Sequence, residues 1–336
     1  MKTRILGNGL EVSAIGYGCM GLSHAYGVAL PKEEAIRIIR ENYEMGYTYF
    51  DTAPLYTGEF ADGTHADNEE LVGEALKPIR DKVVISTKFG THFDKNRQNV
   101  QDARPETIRR EIESSLRKLR TDYIDLYYLH VQDVKVEPEA VAEAVTELIK
   151  EGKVRYFGLS NCSMDYIRRA DAVCKVTAVQ DRYSMMSRAQ EKRFAELERL
   201  GIGLVPYSPL ANGFLSAVYT GKEAFDPKLD FRSWMPQYTA DGLRQSQALL
   251  DLLKELAQEK HATPAQLSLA WMLCKKPWIV PIPSSTKTER NRENAGAADV
   301  VLTADEIQRI DALLDSIALP AYTGQLPEEL KEITGK

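Results

Sequence analysis

The chain has 336 residues, 43% of them hydrophobic and 27% charged, so it can bury a large core and is long enough for two ordinary domains or one large α/β barrel. A formal net charge of -6 argues against an overall affinity for nucleic acid or an anionic membrane surface, while still allowing a local basic patch that holds phosphate. The four cysteines, Cys19, Cys162, Cys174 and Cys274, have neither CxxC spacing nor a paired-histidine motif, so no metal site and no disulfide framework is expected.

Residues 3–13 (TRILGNGLEVS) open the chain with Asn8-Gly9 between two short runs, which predicts a β-hairpin ahead of the main fold. Strand-like runs follow at 15–18, 47–51, 83–88, 123–129, 154–159, 176–180, 202–207 and 278–282. They are β-branched or aromatic and apolar on both faces, as strands of a covered parallel sheet are. Helical sequence lies between them. Pro31 and Pro105 stand where a first turn begins, and Ile108, Ile112, Leu116 and Leu119 form a stripe suited to lie on a sheet. Thr263 with Gln266, Thr286 with Glu289 and Thr303 with Glu306 read as capping boxes. A polar stretch at 220–242 is long for a crossover and is a candidate lid, with a helix expected near 243–260 and another before the last strand.

Eight strands, each followed by helical sequence, favour a single α/β domain over residues 1–336, a (β/α)8 TIM barrel preceded by the N-terminal hairpin. A doubly wound open sheet is the alternative. No apolar signal region follows Met1, and no apolar run approaches the ~20 residues of a membrane helix, so the expected setting is cytoplasmic.

Gly16-Tyr17-Gly18-Cys19-Met20-Gly21 matches the G-x-G-x-x-G dinucleotide fingerprint in letters only. That mechanism needs a helix to start at the turn and aim its N-terminus at the pyrophosphate. Here loop-like sequence follows and the helix signal waits until Pro31, so glycines at a tight strand-end bend are the simpler reading.

The informative feature is where the polar residues fall. Asp51 ends the second strand, Lys88 the third, His130 the fourth, Ser160-Asn161 the fifth, Gln180 the sixth, Tyr207-Ser208 the seventh and Ser284-Ser285 the eighth. Each alone has a structural explanation, but in a barrel these ends converge on the face where barrel enzymes keep their chemistry. The motifs F-D-T-A-x-x-Y at 50–56, T-K at 87–88, D-L-Y-Y-L-H at 125–130, G-L-S-N at 158–161, P-Y-S-P-L at 206–210 and I-P-S-S-T-K-x-x-R-x-x-E-N at 282–294 resemble those of the aldo-keto reductases. With G-Y-G-C-M-G-L at 16–22, the likeness runs from about residue 3 to 315 in the family's order.

Reduction of a carbonyl by hydride needs a proton donor for the oxygen. Tyr56 is the natural candidate; a free phenol is too weak an acid at neutral pH, and a nearby ammonium, Lys88, would lower its proton affinity. Asp51 would pair with Lys88, and His130 would hydrogen-bond and orient the carbonyl oxygen. The resemblance implies these same four roles. It also implies NADP(H) or NAD(H) bound across the strand ends, with Tyr207 stacked on the nicotinamide and Ser160, Asn161 and Gln180 holding its carboxamide. Ser208 and Leu210 then match the pyrophosphate-side segment, and Met20, Asp51, Glu293 and Asn294 fall in motifs that line the cofactor. Residues 284–294 open a helix after the eighth strand, a common phosphate site in barrels. Lys287 and Arg290 add cations suited to an adenosine 2′-phosphate, which favours NADPH over NADH.

Pro54 and Leu55, and the long loop after Tyr56, depart from the usual family pattern and border the substrate pocket. His65 in that loop reads as exposed; Tyr26, Met185, Met186 and Trp234 lie on predicted rim loops and can contact substrate or simply pack. The expected partner is a small carbonyl compound. Two rival readings stand beside the reductase: a Schiff-base aldolase using Lys88, and a nucleotide-sensing regulatory subunit with the same fold.

Overall fold

The strand runs pair side by side and in parallel, because each is apolar on both faces and needs cover on both. The computed structural model describes residues 1–96 and 98–320; Arg97 and residues 321–336, included in the expected domain, lie outside the described residues. Its main sheet runs β1 (Tyr17–Gly18), β2 (Tyr49–Asp51), β3 (Val84–Phe89), β4 (Ile124–Leu129), β5 (Val154–Ser160), β6 (Val176–Arg182) and β7 (Gly203–Tyr207), with parallel neighbours throughout.

Residues 278–283 close this sheet into a barrel. Val280 N donates to Leu204 O at 2.9 Å and Ile282 N to Pro206 O at 3.1 Å, while Gly16 N donates to Pro281 O at 3.0 Å and Gly18 N to Pro283 O at 3.2 Å. The eighth run is less regular than the others because Pro281 and Pro283 have no N–H to return toward β1. Gly18 lets the two chains approach, since a Cβ there would lie 3.0 Å from Ile282 O. The G-x-G-x-x-G turn leads into a short 3-10 turn at Cys19–Leu22, and no α-helix begins before Lys32.

Among the described residues, ten helices surround the sheet: α1 (Lys32–Glu44), α2 (Asn68–Leu76), α3 (Pro105–Lys118), α4 (Pro138–Lys150), α5 (Met164–Val173), α6 (Phe194–Leu200), α7 (Ala240–Glu259), α8 (Pro264–Lys275), α9 (Thr288–Gly296) and α10 (Ala304–Ser316). Outward-facing Phe50, Ile85, Tyr127 and Phe157 share one buried cluster with helix residues such as Ile38, Ile112, Val145 and Ile167. The α3 stripe is buried at Ile108, Ile112 and Leu119 and half-buried at Leu116. Capping boxes form at Thr263 and Thr303. The one expected at Thr286 does not: α9 starts at Thr288, whose hydroxyl instead donates to Glu41 Oε2 at 2.7 Å on α1.

The N-terminal hairpin, Thr3–Ile5 against Glu11–Ser13, turns through Asn8 and Gly9 at φ 55° and 77°. Its Leu6, Leu10 and Val12 pack with Leu126, Ala178, Val205 and Val280 and plug one end of the barrel interior. Each such buried aliphatic side chain contributes about 1.5–3 kcal/mol. At the other end, the stretch before α7 lies across the loop after β1: Gly27 N donates to Leu229 O at 3.0 Å and Phe231 N to Ala25 O at 3.2 Å. Among the described residues, no helix is long and apolar enough to cross a membrane.

Candidate active site

The plugged end leaves the opposite mouth, where the strands finish, to carry chemistry. Asp51 and Lys88 reach it from adjacent strands and form an ion pair, Lys88 Nζ to Asp51 Oδ1, at 2.7 Å with both side chains almost fully buried. Lys88 Nζ also donates to Thr52 O at 2.9 Å. The second carboxylate oxygen of Asp51 accepts from Ser86 Oγ at 2.7 Å and from Gln180 Nε2 at 2.8 Å. A buried ion pair persists only when its remaining hydrogen-bonding capacity is met, and here both oxygens are engaged.

Tyr56 arrives on the loop after β2. That loop is stapled by Asn68 at the start of α2: Thr52 Oγ1 donates to Asn68 Oδ1 at 2.7 Å, and Asn68 Nδ2 donates to Cys19 O at 2.9 Å and Ser23 Oγ at 2.7 Å. Ser23 Oγ in turn donates to Tyr56 O at 3.0 Å. The Lys88 ammonium lies 4.9 Å from the Tyr56 ring centroid. His130 stands edge-on to the same ring, with centroids 5.9 Å apart and planes at 89°. The four residues that the sequence singled out are therefore neighbours.

Electrostatics gives each a state. Burial works against the Lys88 ammonium, but Asp51 and Tyr56 more than offset it and its proton affinity is raised. Burial, with Lys88 adding repulsion, pushes His130 well below the usual histidine range, so its ring is neutral. Its Nδ1 is buried without a partner among the described residues. For Tyr56, Lys88 pulls the phenol's proton affinity down as the sequence suggested, but burial is the larger effect and Asp51 adds to it, so the net shift is upward.

The residues assigned to a cofactor are spread along the same mouth. Asn161, at φ 52°, donates from Nδ2 to His130 O at 3.2 Å and to Ser160 Oγ at 2.9 Å, and accepts from Tyr207 OH at 2.9 Å. Behind it, the Arg193–Asp181 ion pair at 2.8 Å holds its backbone, with Asp181 Oδ1 accepting from Asn161 N at 2.9 Å. Gln180 is directed onto Asp51. Ser208, at φ 50°, accepts from Asn212 Nδ2 at 3.3 Å; Leu210 and Met20 are half-buried.

Past the eighth run, Ser284 is exposed and Ser285 Oγ accepts from Lys287 N at 3.1 Å. The N-cap residue Lys287 makes no side-chain cap to α9, and Lys287 and Arg290 are both exposed. Arg290 Nη1 bonds Glu293 Oε2 at 2.7 Å, and Asn294 is buried. An uncapped helix end beside two exposed cations fits a phosphate group.

Of the rim residues, His65 and Trp234 are exposed, Tyr26 and Met186 half-buried and Met185 buried. Tyr26 OH accepts from Asn212 Nδ2 at 2.9 Å, so it holds the mouth loops together. Sequence reasoning missed His24, whose ring stacks 6.0 Å from that of Tyr56 and whose Nδ1 lies 2.7 Å from Thr57 O. A carbonyl only accepts, so Nδ1 carries the proton. Nothing periodic marks a histidine in an irregular loop. Ser86 was also missed, although it lies two residues before Lys88 and so on the same strand face.

Residues 14–315 match the Aldo/keto reductase family. A protein of Glycine max named a probable aldo-keto reductase is 40% identical over 306 residues, covering 90% of this chain and 85% of its own. The solved glycerol dehydrogenase of Gluconobacter oxydans superposes with TM-score 0.84 at 25% identity, over 97% of this chain and 98% of its own. An aldo-keto reductase from Klebsiella pneumoniae, solved in complex with NADPH, gives TM-score 0.70 at 27% identity over 97% and 99% of the two chains. This chain belongs to the aldo/keto reductase family of oxidoreductases.

Proposed function

We propose that the protein, acting as a single domain over residues 1–336, reduces an aldehyde or ketone to the alcohol with NADPH. The observation that carries this reading is the buried Lys88–Asp51 pair beside Tyr56, with neutral His130 across the ring. Bound NADPH supplies the hydride. The Tyr56 hydroxyl gives its proton to the substrate oxygen as negative charge builds there. Lys88 stabilises the phenolate left behind, and Asp51 keeps Lys88 charged and fixed. A neutral imidazole donates one hydrogen bond, which suits His130 to orient the carbonyl oxygen without competing for the proton.

The residues present fit the cofactor. Tyr207, Ser160 and Asn161 would hold the nicotinamide end, and Ser208 and Leu210 would border the pyrophosphate. The uncapped start of α9, with Ser284, Ser285, Lys287, Arg290 and Asn294, would receive the phosphate-bearing adenosine; Arg290 would exchange its Glu293 contact for the 2′-phosphate. The Klebsiella relative's complex with NADPH supports the same choice.

The test is NADPH consumption by purified protein across a panel of aldehydes and ketones, repeated with Tyr56→Phe. The reading expects turnover in the wild type and a loss of about 10²–10⁴-fold in the variant. Full activity in Tyr56→Phe would refute it. Tight NADPH binding with no consumption on any substrate would favour the nucleotide-sensing subunit.

A further inference from the structure

On a strand, residues two apart face the same side. Asp51, Lys88 and His130 line the barrel mouth, so Tyr49, Ser86 and Tyr128 lie one layer below them inside the barrel. All three are fully buried, and each carries a hydroxyl where an apolar side chain would pack as well.

Those hydroxyls touch in series. Ser86 Oγ lies 2.7 Å from Asp51 Oδ2 and 3.1 Å from Tyr49 OH, and Tyr49 OH lies 3.3 Å from Tyr128 OH. The Ser86 hydroxyl is the donor to both Asp51 Oδ2 and Tyr49 OH, and its one hydrogen favours the carboxylate, the stronger acceptor. Behind it the Tyr49 and Tyr128 hydroxyls bond each other, with either as donor. The three hydroxyls thus form a buried polar network that ends on the charge.

The barrel makes room for this layer. A Cβ on Gly16 would stand 2.5 Å from the Tyr49 ring, and one on Gly158 2.3 Å from the Tyr128 ring. Two strands therefore give up a side chain so that two phenols can lie inside.

We propose that Tyr128, Tyr49 and Ser86 are positioning residues, a chain of buried hydroxyls that holds the Asp51 carboxylate in place and, through it, Lys88 and Tyr56. The inference rests on the reading above that Asp51, Lys88 and Tyr56 carry the reaction. The titratable groups facing Asp51 are Lys88 from β3, Tyr128 from β4, Tyr49 from its own strand, Tyr56 from the following loop and Cys19 from the turn after β1.

The test compares Ser86→Ala, Tyr49→Phe and Tyr128→Phe in the full chain, with Asp51→Asn as the benchmark and thermal midpoints confirming folding. One readout is the acid limb of the pH–kcat profile with NADPH and 4-nitrobenzaldehyde. The other needs no turnover: the carboxylate stretching band of Asp51 in the protein without cofactor, isolated as the infrared difference against Asp51→Asn. Ser86→Ala should move the limb up by about half a pH unit or more and shift the band most, because it removes the donor nearest the charge. Tyr49→Phe should do less and Tyr128→Phe least. Tyr49→Phe keeps the ring, so a purely structural phenol predicts no movement. An unmoved band in Ser86→Ala, or the largest shift in Tyr128→Phe, overturns the chain. Wild-type turnover in Asp51→Asn would instead overturn the catalytic reading, while the infrared order still judges the chain.

Discussion

Replacing Lys88 with methionine keeps most of the side-chain volume and removes the charge. At 2.7 Å the Lys88–Asp51 attraction is ~6 kcal/mol at an effective dielectric constant of ~20, largely offset by the cost of taking both ions out of water. Removing one partner strands the other, and a stranded buried charge typically costs about 3–5 kcal/mol. Asp51 would still accept from Ser86 and Gln180, so the lower end applies: about 3 kcal/mol, or roughly 5 °C in thermal midpoint for a protein of this size. The loss should shrink as pH falls, because an unpaired buried carboxylate takes up a proton more readily than it would in the unfolded chain, and stability returns once it does. Urea denaturation at pH 7.5 and pH 5 of wild type, Lys88→Met, Asp51→Asn and the double variant gives the coupling directly. The double variant should recover most of the loss. A Lys88→Met protein within about 1 kcal/mol of wild type at pH 7.5, or a double variant no better than the single, would refute the reasoning.

Three further outcomes are expected. His130 is held well below the usual histidine range, so the pH–rate profile should have no limb near pH 6.5 that disappears in His130→Gln; such a limb would mean that the imidazole titrates during turnover. Glu69 is buried behind β3 and pushed up to about 7, with Thr87 Oγ1 donating to it at 2.7 Å. Its folded-state proton affinity exceeds the unfolded one, so its contribution is full at low pH and is lost as pH rises from about 4.5 through 7. Glu69→Gln should therefore gain on the order of 2–3 kcal/mol over wild type between pH 4.5 and pH 8 in urea denaturation, and a pH-independent difference would contradict this. The paired change Lys287→Ala and Arg290→Ala should weaken NADPH binding about tenfold or more and leave NADH nearly unchanged in fluorescence titrations; equal losses would remove the 2′-phosphate assignment.

How much of this was legible in the sequence depends on periodicity. Strands and helices follow from patterns of two and 3.6, so the barrel and its strand-end residues could be read in advance, and the α3 stripe lies where the spacing of Ile108, Ile112 and Leu119 puts it. The Thr286 box failed because the sequence cannot show that Glu41 on a distant helix engages the next threonine instead. The net proton affinity of Tyr56 was likewise out of reach, since the sign turns on how deeply the loop is buried and not on which charges stand nearby. His24 sits in irregular chain with no pattern to read. Ser86 and Tyr49 were legible, because counting two residues back from Lys88 and Asp51 finds them.

Following the hydrogen itself tests the central claim most directly. With NADPH carrying deuterium at the transferable C4 position and 4-nitrobenzaldehyde as substrate, the account predicts one deuterium on the carbinol carbon of the product alcohol and a sharp loss of product in Tyr56→Phe. Deuterium-free product, or substrate trapped on Lys88 by borohydride, would contradict it.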